Sequence, residues 1–110
     1  MNTNPDSNES KTDDPLTRAD IEELLQEVAD SSKLNLAHQN LRDIDLSNFN
    51  LTGANLNGAN LFGADLSGAN LHMANLSESN LLLADLSQAN LSQADLSKAK
   101  LGGDTIPNYV

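Results

Sequence analysis

Leucine returns every five residues through two-thirds of this chain, at Leu36, Leu41, Leu46, Leu51, Leu56, Leu61, Leu66, Leu71, Leu76, Leu81, Leu86, Leu91, Leu96 and Leu101, with Ile106 in the next place. No regular element buries such a pattern. Five residues advance an α-helix by about 140°, which scatters successive leucines around its circumference. On a strand, an odd period sends them to alternate faces. One core results only if each unit forms one side of a coil and every leucine points to the axis, as in a solenoid.

A second periodic position lies two residues before each leucine. Ala54, Ala59, Ala64, Ala69, Ala74, Ala84, Ala89, Ala94 and Ala99 fill it, Leu34, Ile44 and Phe49 take it in early units, and Gln39, Ser79 and Asp104 depart from it. The only aromatic residues are Phe49, Phe62 and Tyr109, and Trp and Cys are absent. This composition cannot build a core of mixed large side chains, but it can build one of stacked Leu and Ala. Disulfide and thiol chemistry are excluded.

The units written ANLNG (54–58), ANLFG (59–63), ADLSG (64–68), ANLHM (69–73), ADLSQ (84–88), ANLSQ (89–93) and ADLSK (94–98) resemble the pentapeptide-repeat family. Earlier units (LNLAH, QNLRD, IDLSN, FNLTG) keep the leucine and lose the alanine; the resemblance covers 75 of 110 residues, in fifteen units from 34 to 108. It implies an all-β solenoid, a right-handed quadrilateral β-helix with four units per coil, hence about four coils and a rod roughly 18 Å tall at about 4.8 Å per coil. Gly53, Gly58, Gly63, Gly68 and Gly103 stand two places after the central residue, where a type II turn requires positive φ. Later units carry Met73, Glu78, Leu83, Gln88, Gln93 and Lys98 there, which predicts a different turn in the C-terminal half.

The implied register stacks residues twenty apart. Asp45, Asp65 and Asp85 form one outward column, flanked by asparagine columns suited to amide ladders. Phe62 stacks on Leu82, with Leu83 beside it and Met73 one side away, apolar residues in places that are polar elsewhere. This group is a candidate partner surface, and the acidic column a candidate cation site or phosphate-mimicking stripe.

Residues 1–14 read as a disordered acidic tail. Residues 15–30 read as an amphipathic helix, with Leu16, Ile21, Leu24, Leu25 and Val28 on one face. Its N-terminus is capped either by Asp14, with Pro15 leading the helix, or by Thr17, with Asp20 three residues on. The helix is expected to cap the first coil of a β-helix spanning 31–108, leaving 109–110 as a C-terminal tail. Ile106, Tyr109 and Val110 are candidates for an end-to-end homodimer.

The formal charge is −10, with a net of −7 in residues 1–30 and −3 in the remainder. The four bases after residue 30 are Lys33, Arg42, Lys98 and Lys100, too few and too scattered for direct nucleic-acid binding. No apolar run reaches the length of a membrane span, and the N-terminus lacks a basic start and apolar stretch, so a soluble cytoplasmic protein is expected. The two histidines, His38 and His72, fall in outward places far apart, and the serines that follow the central leucines recur as turn residues. No catalytic, cofactor or metal set is legible. The expected function is a non-enzymatic interaction or scaffold module with an unidentified protein partner. The family resemblance supplies the alternative of a DNA-mimicking binder of the topoisomerase gyrase, which the weak charge of the repeats disfavours.

Overall fold

The computed structural model describes residues 14–102. It opens with helix α1, Arg18–Val28, and a single 3-10 turn, Ser31–Lys33. Of the two candidate caps, Thr17 is the one used. Its Oγ1 accepts from the Asp20 N–H at 3.2 Å while the Asp20 carboxylate accepts from the Thr17 N–H at 2.8 Å, a reciprocal capping box. Asp14 and Pro15 precede the helix instead of starting it. Ala29 ends it in the left-handed conformation (φ 59°), donating its N–H to the Leu25 carbonyl.

From Leu34 onward the backbone stacks on itself every twenty residues. Parallel bridges join Asn35 to Asn55 and Asn75 to Asp95, Asn40 to Asn60 to Asn80 to Lys100, Asp45 to Asp65 to Asp85, and Asn50 to Asn70 to Asn90. Each five-residue unit contributes one bridge and then turns, so no pairing extends into a long strand among the described residues. We call each twenty-residue layer a tier. Around a bridge the ladder is regular: Leu56 N–H donates to Asn75 O at 2.7 Å, and Asn75 N–H to Ala54 O at 2.9 Å.

Each turn closes with a hydrogen bond from the alanine place back to the preceding leucine. Alanine gives donor–acceptor distances of 2.9–3.1 Å, whereas Gln39, Ile44, Phe49 and Ser79 in the same place give 3.2 Å. Ser79 is fully buried, and its hydroxyl donates to the Leu76 carbonyl at 2.7 Å, which satisfies it inside an apolar core.

The turn expected to change in the later units does not change. Met73 (φ 61°), Glu78 (62°), Leu83 (62°), Gln88 (60°), Gln93 (59°) and Lys98 (61°) share the left-handed conformation of Gly53 to Gly68. The reason is hydrogen bonding along the stack. The corner N–H must reach a carbonyl in the next tier, as Gly63 does to Leu82 O and Met73 to Ser92 O, both at 2.9 Å. That demand fixes φ whatever side chain is attached.

The five-spaced leucines from Leu36 to Leu86 are buried at the centre, together with Leu34, Ile44, Phe49, six alanines from Ala54 to Ala84, and Ala89. Leu91 and Leu96 are only half-buried, and Leu101, expected in the core, is 41% exposed. Ile106 lies outside the described residues. Ile21 of α1 is fully buried in the same core, with Leu16, Leu24, Leu25 and Val28 packed against it.

The α1 segment also meets the polar edge of the first tier. Leu16 N–H donates to Asn40 O at 2.9 Å, Arg18 Nη1 to Asp45 O and Ser47 O at 3.1 and 3.3 Å, and Ser31 Oγ to Thr52 O at 2.8 Å. No helix among the described residues is long and apolar enough to cross a membrane.

Candidate functional site

The outward columns divide into those absorbed by the turns and those that are not. In the acidic column each Oδ1 accepts twice from the serine two residues on. Asp45 takes the Ser47 N–H and Oγ–H at 3.0 and 2.7 Å, Asp65 takes those of Ser67 at 3.0 and 2.6 Å, and Asp85 those of Ser87 at 2.9 and 2.6 Å. The Ser47 hydroxyl and then its backbone N–H hold the Asp45 carboxyl below its ordinary value. Ser87 does the same for Asp85, and Ser97 for Asp95. The serines are therefore turn residues that stabilise the charged carboxylate.

The asparagine columns use the same geometry. Asn50 accepts from Thr52, Asn75 from Ser77 and Asn90 from Ser92. Among the described contacts the expected amide ladder has the rung Asn55 Nδ2 to Asn35 Oδ1 at 3.3 Å. Elsewhere the amide oxygen serves its own turn, because the nearby N–H is fixed in place by the backbone. His72 Nδ1 lies 2.7 Å from Ser92 Oγ, and exposed His38 stands at a left-handed corner (φ 64°). Nothing joins the two. Among the described residues no group of His, Asp or Glu is arranged to hold a metal ion.

Two arginines give a signal that the leucine period does not carry. Arg18 of α1 pairs with Asp45 Oδ1 at 3.2 Å and with Glu22 at 3.7 Å, and its guanidinium lies 4.2 Å from the centroid of Phe49. Arg42 lies 4.4 Å from the Phe62 centroid and pairs with Asp43 at 3.6 Å. The Arg42–Phe62 contact was readable in the twenty-residue register. The Arg18 contacts depend on how the helix docks, which the repeat does not encode. An open groove of about 580 Å³ runs between α1 and the first tier, lined by Glu22, Leu25, Asp30, Asn48 and Phe49 among others.

The candidate partner residues are only partly brought together. Phe62 and Leu82 share a column with Arg42, and both are half-buried. Leu83 stands beside Leu82 at the corner and is 73% exposed. Met73 is also exposed but belongs to the column of Gly53 and Gln93, and the Asn55–Asn75 row separates it from the strip. Tyr109 and Val110, like Ile106, lie outside the described residues, as do residues 1–13 of the expected tail.

A backbone stacked every twenty residues over a leucine and alanine interior, with no outward cluster set for chemistry among the described residues, defines a repeat protein. The model of pentapeptide repeats matches residues 32–68 and 64–103, in eight copies. The chain belongs to the pentapeptide-repeat family. It is similar to the crystal structure of alr5209, a pentapeptide repeat protein from Nostoc PCC 7120, with 34% identity over 88% of this chain and 92% of that one and a TM-score of 0.57. It is also similar to HetL from Nostoc sp. strain PCC 7120, described as involved in heterocyst differentiation regulation (24% identity, 69% of this chain and 50% of that one, TM-score 0.45). A third is Rfr23 from the cyanobacterium Cyanothece 51142 (34% identity, 66% and 52%, TM-score 0.31). The chain thus spans about half the length of the last two. No curated protein matches the chain.

Proposed function

We propose that this chain is a non-enzymatic interaction or scaffold module. Its frame is a right-handed quadrilateral β-helix of about four coils over residues 31–108, with the 15–30 segment as the N-terminal cap. The cap reading is supported by the hydrogen bonds that α1 and its flanks make to the carbonyls of Asn40, Asp45, Ser47 and Thr52, groups that would otherwise stand open on a sheet-like edge.

The observation that carries the interaction reading is Leu83. A left-handed corner disfavours any residue with a Cβ by about 1–2 kcal/mol, and solvent disfavours a bare leucine. Leu83 bears both burdens, at φ 62° and 73% exposure, beside Phe62 and Leu82. The fold alone accepts glycine in this column, as Gly63 shows one tier earlier. A partner that covers Leu83 explains why it is there.

The alternative of a DNA-imitating rod draws no support from this surface. Asp45 is engaged by Arg18, and the neighbouring row carries Arg42 and Lys100. Affinity capture from the native cell with mass spectrometry, comparing the parent chain with a Phe62→Ser, Leu82→Ser variant, tests the interaction reading. A partner retained by the parent and lost by the variant is the expected result; an identical set of retained proteins would sink it.

A further inference from the structure

The apolar strip has a charge pattern that limits what fits on it. The chain as a whole carries −10, and only four bases follow residue 30. Three of them border this strip. Arg42 begins its column, stacked on Phe62. Lys100 ends the adjacent column of Asn40, Asn60 and Asn80. Lys98 stands at the corner between that column's row and the preceding one, where no ion pair engages it among the described contacts. Two acids also touch the border, Asp43, which pairs with Arg42, and Glu78. The next row, by contrast, is the acidic column of Asp45, Asp65 and Asp85. Bases at both ends of an apolar strip, on an otherwise acidic protein, are complementary to an acidic partner that is apolar in its middle.

The spacing can be read as well. Arg42 and Lys100 are three tiers apart, about 14 Å along the stack at about 4.8 Å per tier. An extended peptide rises about 3.3 Å per residue, so carboxylates four positions apart reach both bases. The residue midway between them falls between the levels of Phe62 and Leu82, with Leu83 beside the latter. We propose that the strip formed by Arg42, Phe62, Leu82 and Leu83, closed at its far end by Lys98 and Lys100, docks an extended segment of a partner protein in which two acidic residues about four positions apart flank an apolar one. This rests on the reading of the strip as a partner surface and assigns the partner's chemistry.

The test is selection of a phage-displayed random peptide library on the immobilised full chain at low salt, repeated on Leu83→Gly and Lys100→Glu. Both substituted positions are exposed, and glycine suits the Leu83 corner, so a matching circular dichroism melt verifies that each variant is folded. The expected result is enrichment of peptides with Asp or Glu on both sides of an apolar residue. Their binding should fall roughly tenfold on Leu83→Gly and roughly fivefold on Lys100→Glu, and weaken with added salt. Enriched apolar peptides without acids, lost on Leu83→Gly but not on Lys100→Glu, overturn the acidic assignment and leave the partner surface standing. Peptides indifferent to both substitutions, or no enrichment at all, overturn both.

Discussion

The corners of the second and third tiers have the same backbone and different chemistry. Gly53, Gly58, Gly63 and Gly68 turn the second tier; Met73, Glu78, Leu83 and Gln88 turn the third, all with φ between 60° and 72°. The difference is explained by what lies on the first-tier side. A Cβ on Gly58 would sit 2.4 Å from His38 Nδ1, and one on Gly63 would sit 2.3 Å from Asp43 Oδ1. The first tier uses His38, Asp43 and Asn48, types that tolerate the left-handed region, and their side chains lean over the glycines below. The third tier has glycines above it and room for side chains. Stacking therefore dictates the conformation, and neighbours along the column dictate which residues can occupy it.

The largest expected effect tests whether the tiers differ anywhere but at their corners. Leu66→Ala in the second tier and Leu86→Ala in the third should each destabilise by about 2–5 kcal/mol, because both leucines are buried. Denaturant unfolding with closely matched losses supports a common interior, whereas a wide gap between the two would show that the tiers also differ in packing.

Next in size is Gly63→Leu, which imports the third-tier residue into the second. Left-handed strain of about 1–2 kcal/mol is joined by the clash with Asp43. The loss should shrink when Asp43→Gly is added; a double mutant no better than the single one would break the neighbour explanation.

The reverse exchange, Leu83→Gly, should be close to neutral or stabilising by up to about 1 kcal/mol, since relief of strain exceeds the added chain entropy. A clear destabilisation in a thermal melt would mean that Leu83 belongs to the fold and not to a surface.

The smallest effect concerns pH. Asp85 has its carboxyl lowered by Ser87, so its contribution to stability is present above the unfolded aspartate value, roughly pH 4, and disappears as pH falls through the lower folded value. Ser87→Ala removes the leading cause and should lower stability slightly at neutral pH, with the difference vanishing in acid, so the acid limb of the stability curve flattens. An acid limb unchanged in the Ser87→Ala variant would contradict the turn-based account.

The leucine period made the tiers and their twenty-residue register legible, because core and stacking obey one repeat. Ser47, Ser67 and Ser87 were legible as turn residues for the same reason. The corner conformation was misread at Met73 and Leu83, since residue type suggests φ only where hydrogen bonding leaves it free. Amide ladders were expected where Asn50, Asn75 and Asn90 instead serve their own turns. Arg18 was invisible as an anchor because its partners, Asp45 and Phe49, lie 27 and 31 positions away, outside the repeat's arithmetic.

The twenty-residue stacking of units of five also governs how such a chain tolerates length change. Inserting one five-residue unit between Phe62 and Ser77 leaves every five-spaced leucine facing inward, yet it sets Phe62 over Ser77 and disperses the strip. Inserting four units lengthens the stack and keeps every downstream column in its original alignment. Duplications of five reshuffle the surface while conserving the interior, and duplications of twenty conserve both, so a lineage of such proteins has one step size for inventing faces and another for extending them.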